Sequence, residues 1–412
     1  MNSQTQSETR IMMVVFLTIL VGWIGFSLPY PVFGHLFLNP ESRLLSSETD
    51  ATGRSVLLGV AIALYPLGQI GGAIIFGRLS DRLGRVSVLT GALGVALAGA
   101  GMLWSGVAEH TLWLVLLGRF VAGLGEGNIA ILQSLAADVS RPESKARNFA
   151  LIGIAMDLGF VAGPILGGVL ALSGGAEGMN FGAPFAAATA LFALNLVIVP
   201  SLLRGRPVSS PRPARGIPAK PDAEPKLRIG RLLVLSFLTF WSVMVFFEFF
   251  PVYFVQQYGT PPLDLGINAA LLSVPLILSG LCVGRLVNMI GARNVALLSF
   301  LLMGLGSYVF VSVSGLLAHA IPAVLVAVGI NFGQTATSVL VSDAAPENAQ
   351  GTAIGLYRAV TIAAGAIVGV LGGFLAAIDP AGPFLTGVAA SVLAAVILIA
   401  GHKFFRTWSK VW

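Results

Sequence analysis

Apolar residues in this chain run on for about twenty positions at a time and then stop at short polar breaks, rather than alternating with polar ones. Such runs fall at about 11–34, 55–76, 86–107, 112–137, 149–172, 183–203, 231–255, 266–287, 294–316, 320–342, 352–377 and 382–404. Each is long enough for a membrane helix, and none has the alternation of a barrel strand. Arg10 precedes the first run. That run is too long for a signal sequence, and no small-residue cleavage pattern follows, so it is read as the first span.

The polar breaks carry the topology. If both termini are cytoplasmic, the even-numbered turns hold Arg78, Arg82, Arg85, Arg141, Lys145, Arg147, Arg285 and Arg293, while the outside turns keep only Arg43 and Arg54. Basic residues are retained on the cytoplasmic side, so the expectation is a multi-pass protein of a bacterial-type inner membrane. Between spans six and seven, residues 204–231 hold eight basic residues with prolines and serines and no apolar run. That stretch reads as a cytoplasmic linker, 204–230, between a six-helix bundle at 1–203 and another at 231–412.

Composition agrees and narrows the choices. The 412 residues are 56% hydrophobic and 10% charged, with mean hydropathy +0.88, outside the range of soluble domains. A single cysteine, Cys282, excludes an internal disulfide and a thiolate metal cluster. His35, His110 and His402 have no companion ligands, and no nucleotide loop is visible, so neither metal nor cofactor is expected. The pI near 9.8 follows from topology, so no nucleic-acid partner is implied. The expected partners are a small-molecule substrate, protons and the lipid bilayer, with the chain acting as a monomer.

The two halves repeat. Arg10-Ile-Met-Met-Val-Val-Phe-Leu-Thr opens span one and Arg231-Leu-Leu-Val-Leu-Ser-Phe-Leu-Thr opens span seven; Pro31-Val-Phe answers Pro251-Val-Tyr. Gly77-Arg-Leu-Ser-Asp-Arg-Leu-Gly-Arg85 recurs as Gly284-Arg-Leu-Val-Asn-Met-Ile-Gly-Ala-Arg293, and Asp138-Val-Ser-Arg-Pro-Glu143 as Asp343-Ala-Ala-Pro-Glu347. A six-plus-six parallel repeat places a binding site near the midplane, opened to either side by rocking.

These motifs resemble those of the major facilitator superfamily over essentially the whole chain. Gly77–Arg85 is similar to the family's loop between spans two and three. Leu117-Gly-Arg-Phe-Val-Ala-Gly-Leu-Gly-Glu-Gly127 resembles the span-four motif with its membrane arginine at Arg119, and Gly159-Phe-Val-Ala-Gly-Pro-Ile-Leu-Gly-Gly168 the span-five motif of proton-coupled antiporters. The resemblance is greatest to twelve-span drug:proton antiporters, a group that includes the tetracycline exporters. It implies export, and gating roles for Gly77, Asp81, Arg82, Gly84, Arg85, Asp138, Gly159, Gly163 and Pro164. Tetracycline exporters carry an acid within span one. Gly22–Pro31 here carries none, so neither tetracycline as substrate nor a proton site in that span is expected.

Ionisable groups inside a bilayer are costly and call for a reason. Arg119, Glu126 and Gln133 recur every seven residues, on one helix face expected to line the cavity. Asp157 is expected at a depth similar to Glu126, where two carboxyls in a dry site would resist ionising together. Glu248 stands within Phe246-Phe-Glu-Phe-Phe250, near the depth of Arg119. Glu248, Glu126 and Asp157 are the candidate proton carriers, and Arg119 the cation that tunes them. Arg358 either meets an anionic substrate or reaches out to the membrane surface. Asp138 should pair with an arginine of the 77–85 loop.

Substrate contacts are read from helix faces: Trp23, Ser27 and Tyr30 on span one, Tyr65 and Gln69 on span two, Gln133 on span four, Trp241 on span seven, Asn331 and Gln334 on span ten, and Arg358 on span eleven. An aromatic cavity with few fixed polar groups suits lipophilic or weakly basic molecules. The leading expectation is therefore an all-α exporter of small organic compounds exchanging against protons, not an enzyme. The alternatives are a symporter or facilitator importing a metabolite, and a non-transporting sensor on the same scaffold. The loop at 77–85 is expected to act as an asymmetric latch, because Asn288, Met289 and Ala292 replace Asp81, Arg82 and Arg85 in the second half.

Overall fold

The computed structural model describes residues 3–177, 179–203, 223–345 and 350–408. The first half contains α1 (Ser3–Ser27), α2 (Tyr30–Leu38), α3 (Ala51–Leu83), α4 (Arg85–Ala108), α5 (Leu112–Glu126), α6 (Ile129–Val139), α7 (Pro142–Ala171) and α8 (Gly182–Leu203). The second contains α9 (Ala223–Tyr258), α10 (Pro262–Ile290), α11 (Ala292–Ser312), α12 (Ala320–Ala344), α13 (Gln350–Ile378) and α14 (Gly382–Trp408). Because α1 runs on into α2 and α5 into α6, these make twelve apolar stretches long enough to cross a membrane. The chain is an all-α, multi-pass membrane protein. Residues 204–222, most of the expected linker, lie outside the described residues, as do Pro346 and Glu347 of the second acidic motif.

Helices cross a bilayer because their backbone groups bond internally, and they associate where small side chains let backbones approach. α5 is the clearest case, wedged between α3 and α4. A Cβ at Gly123 would lie 2.1 Å from the Tyr65 carbonyl oxygen of α3, and one at Gly125 would lie 2.3 Å from the Ala96 nitrogen of α4. No residue with a side chain fits at either place. The polar side chains of α5 are thereby held in fixed positions.

The 77–85 stretch differs from the expected turn. Residues 77–83 continue α3, and the reversal is confined to Gly84, whose φ of 90° and ψ of 143° also start α4. A Cβ at Gly77 would meet nothing within 4 Å, so neither a turn nor a close approach accounts for this glycine. Gly291 occupies the corresponding place between α10 and α11, with φ 81° and ψ 149°. Both angles lie where a glycine is tolerated without strain. The sequence repeat is thus also a repeat of backbone geometry.

The chain forms two compact units: described residues of Met1–Gly216 with Phe254–Ala270, and of Ile217–Tyr253 with Leu271–Trp412. In the first, α1 lies along α7, and α8 covers α4 and α1. The α9–α10 turn belongs there as well: His35 Nε2 donates to the Thr260 carbonyl at 2.7 Å, and Gly266 abuts the carbonyl of Pro164. In the second, α11 packs on α12 and α14, and Phe246, Phe310 and Phe384 form an aromatic core with centroids 5.2–6.1 Å apart.

Candidate functional site

Glu126 ends α5 where the helix breaks over Gly127 and Asn128 before α6 begins. Broken helices recur at transporter binding sites, where the freed backbone groups face a cavity. The Glu126 side chain is 4% exposed. It lies in a narrow pocket with Thr18, Gly22, Trp23, Asn128 and Asn195. A Cβ at Gly22 would come within 3.5 Å of Glu126 Oε1, so that glycine leaves the carboxyl its room. Asn195 of α8 fixes the far wall by donating from Nδ2 to the Thr18 carbonyl at 3.0 Å. Among the described residues Glu126 accepts no hydrogen bond and makes no ion pair.

Arg119 lies two turns earlier on the same helix. Its Nε donates to the Ala61 carbonyl of α3 at 3.0 Å, and its guanidinium carbon stands 4.6 Å from the Tyr65 ring centre and 4.9 Å from that of Phe33. Two aromatic faces and a backbone carbonyl thus hold the cation in an apolar surround. Tyr65 thus brings its ring face to the Arg119 cation from α3. Its hydroxyl and the Trp23 indole nitrogen are buried and make no hydrogen bond among the described residues. The Phe26 ring lies tilted 4.7 Å from that of Tyr65 and edge-to-face 5.6 Å from Trp23, which in turn meets Phe160; Tyr30 closes the run 5.8 Å from Phe160.

Other residues are placed differently from expectation. Asp157 is exposed on α7 and takes no part in the Glu126 pocket, so the two carboxyls do not share a site. The reason is rotational: on α7 the glycine ridge, not Asp157, faces α1. Ser27 is fully buried in that seam, where its Oγ donates to the Gly159 carbonyl at 3.1 Å and to the Trp23 carbonyl at 2.7 Å. A Cβ at Gly163 would sit 1.9 Å from that Oγ, and one at Gly167 would sit 1.8 Å from the Leu28 carbonyl oxygen. Ser27 is therefore a helix-packing residue. Pro164 presents its carbonyl to Gly266, while Gln69 and Gln133 are half-buried.

In the second unit the Glu248 carboxylate lies beside Gly365 of α13, where a Cβ would be 3.6 Å from Oε1. Its neighbours Phe246, Phe249 and Phe250 turn into the core. Trp241 donates from Nε1 to Thr386 Oγ1 at 3.0 Å, and Asn331 from Nδ2 to the Leu276 carbonyl at 3.1 Å, so both polar groups are engaged by neighbouring helices. Tyr357 donates to the Gln334 carbonyl at 3.1 Å, while Arg358 beside it is exposed.

At the Gly84 end, Arg85 Nε donates to Asp138 Oδ2 at 2.6 Å, and Arg82 is exposed. The Asp81 side chain lies outside the described ones. Sequence reasoning passed over Glu8, which is 7% exposed and accepts from Ser144 Oγ and, at 2.9 Å, from Asn148 Nδ2, with Arg141 Nε 3.6 Å away. It fastens α1 to the start of α7. Asn195 was passed over too, although a lone Asn within the apolar α8 run was a visible signal.

The profile of the Major Facilitator Superfamily matches residues 11–272 and again 232–407. The chain belongs to that superfamily. Its members are transporters, not enzymes. It is 31% identical over 238 residues to the class C tetracycline resistance protein of Escherichia coli, an alignment spanning 58% of this chain and 56% of that one. With the class H tetracycline resistance protein of Pasteurella multocida identity is 26% over 376 residues, 89% of this chain and 88% of the relative. The crystal structure of the human organic anion transporter MFSD10 superposes with a TM-score of 0.70 at 19% identity, covering 95% of this chain and 99% of that one. At that identity the likeness speaks to fold.

Proposed function

We propose that this transporter exports small lipophilic or weakly basic organic compounds in exchange for protons, from a bacterial-type inner membrane with both termini cytoplasmic. The observation that carries the reading is the placement of Glu126 and Arg119 on α5: a carboxyl enclosed at a helix break, with a cation held by Tyr65 and Phe33 two turns earlier on the same helix. A carboxyl out of water favours its neutral form, and a cation or cationic substrate favours the charged one. Alternating access then exchanges proton for substrate, since each side of the membrane sets which of the two occupies the site. The tetracycline resistance relatives favour efflux, and the aromatic run from Tyr65 to Tyr30 suits flat apolar cargo. Glu248 serves as a second carboxyl in the other repeat, and Asp157 as an exposed one.

The turns at Gly84 and Gly291 and the pair Arg85–Asp138 act in gating, with Asp81 as the latch of the first repeat. The chain works as a monomer of two six-helix repeats joined by the linker at 204–230. A second reading, export of an organic anion, rests on Arg358, which is exposed and makes no ion pair among the described residues. Proteoliposomes separate the possibilities. An imposed proton gradient should drive substrate against the direction of proton flow. Movement with the protons would establish import, and binding without flux would establish a sensor.

A further inference from the structure

We infer that the inner ends of α9, α11 and α14 form a binding site for the phosphate of an anionic phospholipid. Arg231 Nη2 donates to the Ile397 carbonyl at 2.6 Å and to the Leu398 carbonyl at 3.3 Å, while Arg293 Nη2 donates to the same Leu398 carbonyl at 3.2 Å. Two guanidiniums that share one neutral acceptor repel each other, and the pair do interact electrostatically. Among the described residues neither has an acidic partner, and Arg231 Nε is buried without a hydrogen bond. Such a pair calls for an anion offering several acceptor oxygens, and a guanidinium's fork of N–H donors matches phosphate.

Depth decides the source of that phosphate. The apolar spans here run Ile229–Tyr258, Ala292–Ser312 and Gly382–Ala400. Arg293 lies one residue into its span, Lys226 and Arg228 precede Arg231 in the sequence and Lys403 follows Leu398, which sets the three at the level of lipid headgroups. Val234, Val396 and Ile399 flank them and are 44%, 54% and 64% exposed, giving acyl chains an apolar wall beside the charged pair. A lipid whose phosphate meets the two arginines would tie three helices of the second repeat together at one leaflet. Basic pockets between membrane helices on the cytoplasmic side take anionic headgroups for this reason. The site is independent of the proposed transport chemistry.

The test uses the purified, delipidated full chain, titrated with dioleoyl phosphatidylglycerol, dioleoyl phosphatidylcholine or inorganic phosphate and read by native mass spectrometry and melting temperature. Wild type should retain phosphatidylglycerol in preference to phosphatidylcholine and melt higher with it. Arg231→Gln with Arg293→Gln should bind it roughly ten- to thirtyfold more weakly, while Arg285→Gln binds as wild type does. Equal retention of the two lipids by wild type overturns the site whether or not the double variant folds. Equal retention by wild type and double variant overturns it as well. An equal melting shift from inorganic phosphate alone overturns the assignment to lipid.

Discussion

The seam between α1 and α7 predicts a specific intolerance at Gly163. A methyl group there would start 1.9 Å from Ser27 Oγ, 2.9 Å from the Ile24 carbonyl oxygen and 3.0 Å from the Leu28 nitrogen. Ordinary contact needs roughly 3.5 Å, so the serine must leave its place and the helices must part. Moving the serine also breaks its bond to the Gly159 carbonyl. Overpacking of this kind costs about 1–3 kcal/mol. Gly163→Ala should therefore lower the apparent melting midpoint of the purified chain by several degrees and cut transport. Ser27→Gly in that background removes the hydroxyl clash but not the two backbone contacts, so recovery should be partial. Gly153→Ala on the same helix is the control, because its Cβ would meet nothing within 4 Å. The comparison is between apparent midpoints, since membrane proteins often unfold irreversibly. A Gly163→Ala protein that melts like wild type, or no more than a degree below Gly153→Ala, would refute the seam.

Arg119→Lys should reduce transport at least tenfold in vesicles while the protein still inserts, because an ammonium cannot keep both the Ala61 carbonyl and two aromatic faces. Glu8→Gln keeps the bonds from Ser144 and Asn148 but loses the charge facing Arg141, so melting should fall only slightly; Glu8→Ala, which removes both, should fall clearly further. Arg85→Gln should change stability by less than about 1 kcal/mol, because the ion pair with Asp138 is partly exposed, and it should slow transport measured in vesicles. Asp81→Asn should impair transport with expression and insertion intact, measured by membrane yield and uptake. Normal transport by that variant would leave the latch without support.

The sequence was most legible where membrane physics acts on whole segments. Run length marked the spans, and the repeated glycines placed Gly84 and Gly291 at equivalent reversals. Spacing also brought Arg119 and Glu126 onto one helix, but periodicity says which residues share a face, not which neighbour covers it. Hence Ser27, aligned with Trp23 and Tyr30, proved to be buried against the glycines of α7. Asn331 and Trp241 likewise meet adjoining helices. The break at Gly127 was hidden because glycine also serves close packing, and Gly127 does both: its Cβ would fall 2.2 Å from the Gly72 carbonyl carbon. Asn195 and Thr18 reach Glu126 only through the approach of α8 to α1, a tertiary fact no local pattern carries.

The central claim is that Glu126, enclosed at the α5–α6 break, couples protons to substrate. Reconstituted Glu126→Gln should still exchange substrate across the bilayer without a gradient, yet fail to accumulate it when a proton gradient is imposed. Accumulation by Glu126→Gln with the gradient dependence of wild type would contradict the account and move the proton to Glu248 or Asp157.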